Sequence, residues 1–287
     1  MTSFGDFCRI NGLLLPGLPI EDGRIHRVPT TAHPRRKNGW YTLSPFGGRC
    51  QAFDMDPYAH TWKPEGGEDS VSPEEVARWK HLATLEREKA AKARERAARN
   101  AQALIGEAEL LYGFPYLVRK GFPQHVALVH KPRKLLLVPM RDAASYKNVL
   151  SVQMIDKEGN KKFLPGGQAR NACYIMGAGE DVILCEGYAT GLSIQAALKA
   201  LYKQARVAVC FSAGNIANVA TKLEGRKFIM ADSDASGTGA RAAEGTGLPW
   251  TMPPVVGQDF NDLAQDSACN RKAVALLCDL LQRKAHA

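Results

Sequence analysis

Two short apolar runs in the second half of the chain end abruptly in carboxylates, and few folds accommodate that pattern. They read Val-Ile-Leu-Cys-Glu-Gly-Tyr-Ala-Thr (182–190) and Phe-Ile-Met-Ala-Asp-Ser-Asp (228–234), and a third acidic signal, Gly-Gln-Asp-Phe-Asn-Asp (257–262), follows them. After each run comes Gly or Ser and then a helix-like segment. Strands alternating with helices build parallel sheets, which place their chemistry at the carboxyl ends of the strands. Carboxylates gathered there repel one another unless a cation neutralises them. The pattern predicts an oxygen-only site for magnesium or manganese, suited to phosphoryl transfer, formed by Glu186, Asp232, Asp234 and Asp259 with Asp262 beside them. The plain alternative for an isolated Asp-x-Asp is a cap or surface pair; the ordered combination is more specific.

The surrounding elements are consistent with an α/β unit. Thr190 or Ser193 is a candidate cap for a helix with apolar residues at Ile194, Ala197, Leu198 and Leu201. Residues 207–211 and 228–231 read as strands, and 215–223, 236–244 and 270–284 as helices. Crossovers of this length favour parallel, right-handed connections. Upstream, residues 134–142 read as a buried strand. Residues 149–156 and 161–164 form a hairpin about the turn Lys157-Glu-Gly-Asn160, the whole predicting a small antiparallel sheet of its own.

Residues 72–103 read as a helix opened by Ser72 as cap, Pro73 in the first turn and Glu74 and Glu75 at the positive dipole end. It is rich in Ala, Arg, Lys and Glu with a thin apolar face, so a solvated helix joining two domains is expected, with a phosphate-tracking surface as the alternative. Residues 1–70 combine Gly, Pro and aromatics with strands near 23–28 and 39–43. Between these lies the basic loop Pro34-Arg-Arg-Lys-Asn-Gly39. Trp40, Tyr41 and Trp62 are expected either to form the core of a small β module or to stack on nucleic-acid bases. The expected organisation is a β-rich module at 1–70, a charged helix at 71–104, an α+β subdomain at 105–178 and an α/β domain at 179–287.

A formal net charge of +9 over 287 residues points to polyanionic partners, nucleic acid first. The cysteines (Cys8, Cys50, Cys173, Cys185, Cys210, Cys269 and Cys278) form no Cys-x-x-Cys pair, which argues against a zinc ribbon and for a reduced compartment. With neither a signal-like start nor a membrane-length apolar run, a cytoplasmic protein is expected.

Glu186-Gly187, Asp232-Ser-Asp234 and Gly257-Gln-Asp259-Phe-Asn-Asp262 together resemble the Toprim domain shared by DnaG-type primases, topoisomerases and some nucleases. Tyr116-Leu-x-x-Lys120-Gly121, Pro139-Met-Arg141-Asp142 and Lys161-Lys162-Phe163-Leu164 resemble, in order, the motifs that precede Toprim in primases of this type. With the start of the chain included, the whole is similar to Toprim primase-like proteins of phages and plasmids.

The resemblance implies a Rossmann-like, mainly parallel Toprim domain and synthesis of short RNA primers on single-stranded DNA from ribonucleoside triphosphates. Glu186 would be general base or metal organiser, and Asp232, Asp234 and Asp259 metal ligands, with Asp262 a further candidate. Arg141 and Lys162, with Lys161 and Lys120, would contact template or nucleotide phosphates. The chain departs from the family in lacking the cysteine pattern of the zinc ribbon and in carrying Thr190 where cellular primases carry Asp. It also has no P-loop, so any helicase would be a separate chain. A Toprim nuclease, or a nonenzymatic nucleic-acid-binding replication protein, are the alternative functions.

Overall fold

A computed structural model describes residues 2–56, 58–64, 73–265 and 270–283. The chain divides into two compact units, Met1–Lys89 with Ser236–Thr238, and Ala90–Ala235 with Gly239–Ala287.

The first unit begins with helix α1 (Phe4–Ile10), which residues 1–70 had not been expected to contain; Ser3 caps it by accepting from the Asp6 N–H. Strands β1 (His26–Val28), β2 (Gly39–Ser44), β3 (Gly47–Ala52) and β4 (His60–Trp62) then form an antiparallel sheet in sequence order. Alternation along β2 sends its two aromatics to opposite faces. Tyr41 and Leu43 point into a core with Phe4, Cys8, Val28 and Cys50, whereas Trp40, Thr42 and Ser44 lie half-buried on the other face. Trp62 packs at the edge of that core.

Helix α2 (Pro73–Gly106) extends through 34 residues, as its Ala-rich composition predicts. Its cap at Ser72 falls outside the described residues. Most of it is exposed, but Ala97, Ala101 and Leu104, spaced four and three apart, are buried, the last two against Leu137, Val149 and Val152.

The second unit continues with β5 (Glu109–Leu111), α3 (Pro115–Arg119), β6 (Ala127–His130), β7 (Leu135–Asp142), β8 (Val149–Ile155), β9 (Lys161–Phe163) and β10 (Ala172–Met176). There follow β11 (Val182–Cys185), α4 (Tyr188–Ala200), β12 (Arg206–Val209), α5 (Ala213–Ala220), β13 (Lys227–Met230) and α6 (Thr238–Glu244). Strand β14 (Trp250–Thr251) and helices α7 (Phe260–Gln265) and α8 (Asn270–Gln282) complete it. The fold is mixed α/β. Strands β14, β13, β11 and β12 are mutually parallel, and β10 runs antiparallel to β12 on one side and to β7 on the other. The antiparallel strands expected as a sheet of their own are therefore hydrogen-bonded into one ten-stranded sheet, with β10 as the seam.

Strict alternation in the parallel strands covers both faces of the sheet. Ile183, Cys185, Val207, Val209, Phe228 and Met230 meet α4, α7 and α8, while Val182, Leu184, Ala208 and Ile229 meet α5 and α6. Full burial of side chains such as Phe228 and Phe260 contributes ~1.5–3 kcal/mol each. Helix α4 starts earlier than expected: Gly187 occupies the cap position, and Thr190 and Ser193 are buried inside the helix. No described helix is long and apolar enough to cross a membrane.

Candidate active site

Glu186 is the first residue past β11, and Asp232 and Asp234 follow β13, so the adjacent parallel strands deliver all three to the same sheet end. Asp259 arrives on the loop before α7. Two backbone hydrogen bonds lace that loop to the Asp232–Asp234 turn, from Ser233 N–H to the Gln258 carbonyl (3.0 Å) and from Gly257 N–H to the Ser233 carbonyl (2.5 Å). Asp259 and Asp262 then cap α7 reciprocally. Asp262 N–H donates to Asp259 Oδ1 (2.8 Å) and Asp259 N–H to Asp262 Oδ2 (3.2 Å). The Gly239 N–H, at the start of α6, donates to Asp234 Oδ2 (2.8 Å).

The electrostatics show these acids acting on one another. Burial first, then repulsion from Asp232 and Asp234, pushes Glu186 up to about 8, against the pull of the Ala213 N–H at the start of α5 and of Lys161. Asp232 is pushed up to about 7 by burial, then by Asp259, with Asp234 and Asp262 adding and Lys161 opposing. Asp232 Oδ1 is buried and has no hydrogen-bond donor. Beside Glu186 the backbone is strained: Phe211, at φ 69°, donates its N–H to the Glu186 carbonyl (2.9 Å).

Two lysines reach this crevice from the amino-terminal side of the unit. Lys120 Nζ lies 3.2 Å from Asp262 Oδ1 and 3.9 Å from Asp259 Oδ2. Its backbone carbonyl is held by the buried Asn261, which also donates to Ser193 Oγ. Lys161 acts on both Glu186 and Asp232, and a Cβ placed on Gly187 would sit 4.0 Å from its Nζ. Lys162, next along β9, points to the opposite face of the strand. Arg141 donates to the Lys147 carbonyl (3.2 Å) and lies over the Tyr146 ring. The structure thus joins Lys120 and Lys161 to the acids, and gives Arg141 and Lys162 other surroundings.

Sequence reasoning passed over Tyr116 and Arg119 as site residues. They line a cavity of about 440 Å³ with Lys120, Lys161 and Asp262. The Tyr116 hydroxyl is buried and pushed up to about 12 by that burial and by Asp259. The signal was the Tyr-Leu-x-x-Lys motif itself, in which Arg119 precedes Lys120.

Among the described residues no three His, Cys, Asp or Glu groups close into a ligand cage. Magnesium uses one or two carboxylates and keeps waters and substrate phosphates for its remaining positions. An open set of mutually repelling acids, one with an unpartnered buried oxygen, fits that ion.

No family model matches the chain. It is similar to a chain in the structure of the bacteriophage T7 lagging-strand DNA polymerase interacting with primase domains of two gp4 subunits bound to an RNA/DNA hybrid and dTTP. Identity is 15%, the TM-score is 0.42, and the match covers 64% of this chain and 97% of that one.

Proposed function

We propose that the chain is a DnaG-type, Toprim-class primase that synthesises short RNA primers on single-stranded DNA in the replication of a phage or plasmid. The observation that carries this reading is the meeting of Glu186, Asp232, Asp234 and Asp259 at the ends of β11 and β13 with Lys120 and Lys161 from the preceding segments. Such a crevice suits a reaction with a triphosphate substrate, since acids that hold a cation and lysines that neutralise phosphate are both needed.

Asp232, Asp234 and Asp259 would hold magnesium or manganese, with Asp262 nearby and Glu186 organising them. The bound ion would acidify the attacking hydroxyl and stabilise the leaving oxygen. Glu186, ionised once a cation offsets the neighbouring acids, would accept the proton of the primer 3′-hydroxyl. The 3′-oxygen then bonds the α-phosphorus of the incoming ribonucleotide, and the bond to the bridging oxygen breaks, releasing pyrophosphate. Lys161 offsets the charge at Glu186 and Asp232. Lys120, paired with Asp262 and Asp259, would turn to the triphosphate. Arg141 and Lys162 would act farther along the template, and a helicase would be supplied by a separate chain.

The test is incorporation of labelled ribonucleotides on single-stranded templates with magnesium or manganese. Wild-type protein is expected to make short products, and Asp234→Asn and Glu186→Gln to make none. Absence of products across templates and cations, with cleavage of DNA in the absence of nucleotides, would replace this reading with a nuclease.

A further inference from the structure

The face of the first unit's sheet that turns away from its core carries a set of side chains the crevice chemistry does not use. Cross-strand pairing places Arg27 opposite Trp40 and Trp40 opposite Gln51, while Thr42 lies opposite Arg49. Pairs directly opposite share a face, so Trp40 and two arginines stand together there. Arg27 and Arg49 are exposed. The Arg27 guanidinium lies 5.0 Å over the ring of Phe53, which is itself 42% exposed. Trp40 Nε1 donates to Gln51 Oε1 (3.1 Å), fixing the indole on the sheet.

Along β2 the same face runs on through Thr42 and Ser44 into a cleft of about 520 Å³, walled by Phe46, Val76 and Trp79, with Lys80 on its rim. That volume is in the range of small-molecule sites. The loop entering β2 adds exposed Arg35, Arg36 and Lys37. Rings with one face open, interleaved with cations, match unpaired bases on a polyanionic backbone, because rings stack on any base and cations neutralise phosphates.

We propose that this face binds single-stranded nucleic acid, with bases stacked on Trp40 and on the Arg27–Phe53 pair and one base admitted to the Trp79 cleft. Arg49, Lys80 and the 35–37 loop contact phosphates. No catalysis is required, so the proposal and the primase reading fail separately.

The experiment titrates the full chain, with chelator present, against a labelled oligothymidine of about 16 nucleotides and against a duplex of the same length, at two salt concentrations. Arg27→Glu and Arg49→Glu, on exposed side chains, are expected to weaken single-strand binding ~10-fold each and to flatten its salt dependence. Trp40→Ala is expected to weaken it ~5-fold or more, with Trp40→Phe restoring most of the loss. The duplex is expected to bind more weakly than the single strand. Wild-type affinity in Arg49→Glu and Trp40→Ala, or equal affinity for duplex and single strand, would overturn the proposal even if the wild-type protein makes primers. Protein that makes no primers but shows these losses would keep the proposal and sink the primase reading.

Discussion

Neutralising the two most perturbed carboxylates should stabilise the metal-free protein, increasingly as pH rises above about 4. Glu186 is pushed up to about 8 from 4.5, and Asp232 to about 7 from 3.8. Between about pH 4 and pH 8 the folded state therefore holds protons that the unfolded state has released. Stability from these groups is complete below about pH 4 and is lost as pH rises through the folded values. At ~1.4 kcal/mol per pKa unit, either acid alone would cost the folded state ~4–5 kcal/mol at pH 8. Their repulsion is shared and each keeps some solvent, so ~3–5 kcal/mol is expected for the two together. Urea unfolding in chelator should then show Glu186→Gln/Asp232→Asn close to wild type at about pH 4 and more stable by about that amount at pH 8, with the difference growing steadily between the two. Burial lowers the pKa of His125, which acts in the opposite direction in the same window. It is present in both proteins and cancels from their difference. A difference between the two proteins that does not change from about pH 4 to pH 8 would refute the reasoning.

Lys161→Ala should lower primer synthesis ~10-fold or more, from loss of a preorganised charge beside the acids, and Lys162→Ala should do less; turnover measured at matched protein and metal concentrations checks the contrast. Gly239→Ala would place a Cβ 2.5 Å from the Asp232 carbonyl oxygen and 3.2 Å from Asp234 Oδ2. Because the backbone must shift, ~1–3 kcal/mol of stability should be lost in a denaturation series, together with most activity. Asn261→Ala removes a fully buried amide that ties Lys120 to Ser193; leaving those partners unsatisfied should cost ~1–3 kcal/mol on the same assay.

Strands β11 and β13 were legible because their apolar runs are continuous and end in acids, and β12 because its run is continuous. Strand β10 was not. Ala-Cys-Tyr-Ile-Met is short and lacks polar alternation, and it becomes a strand through pairing with β7 and β12, both distant in sequence. At two residues β14 leaves no periodicity to detect. The start of α4 was misplaced because Thr and Ser are strong cap formers by type, whereas the turn after Glu186 is held by Gly187. At the site, the order of the acids was readable, but the choice between Lys161 and Lys162 was not. Adjacent lysines on a strand face opposite ways, and only the register of β9 on β8, with Lys162 opposite Met154, fixes which faces in. Asp262 looked like one more ligand, yet its position three residues after Asp259 also makes it half of a capping box.

The β10 seam has a consequence for how substrates come and go. Lys120 and Lys161 stand on the amino-terminal side of that seam and the carboxylates on the other. Swinging one set away from the other as a hinged jaw would break several β10 hydrogen bonds at once, each worth ~1 kcal/mol net. The crevice is thus framed like a fixed port, and traffic through it is left to side-chain swings and to the turns that carry Asp234 and Asp259.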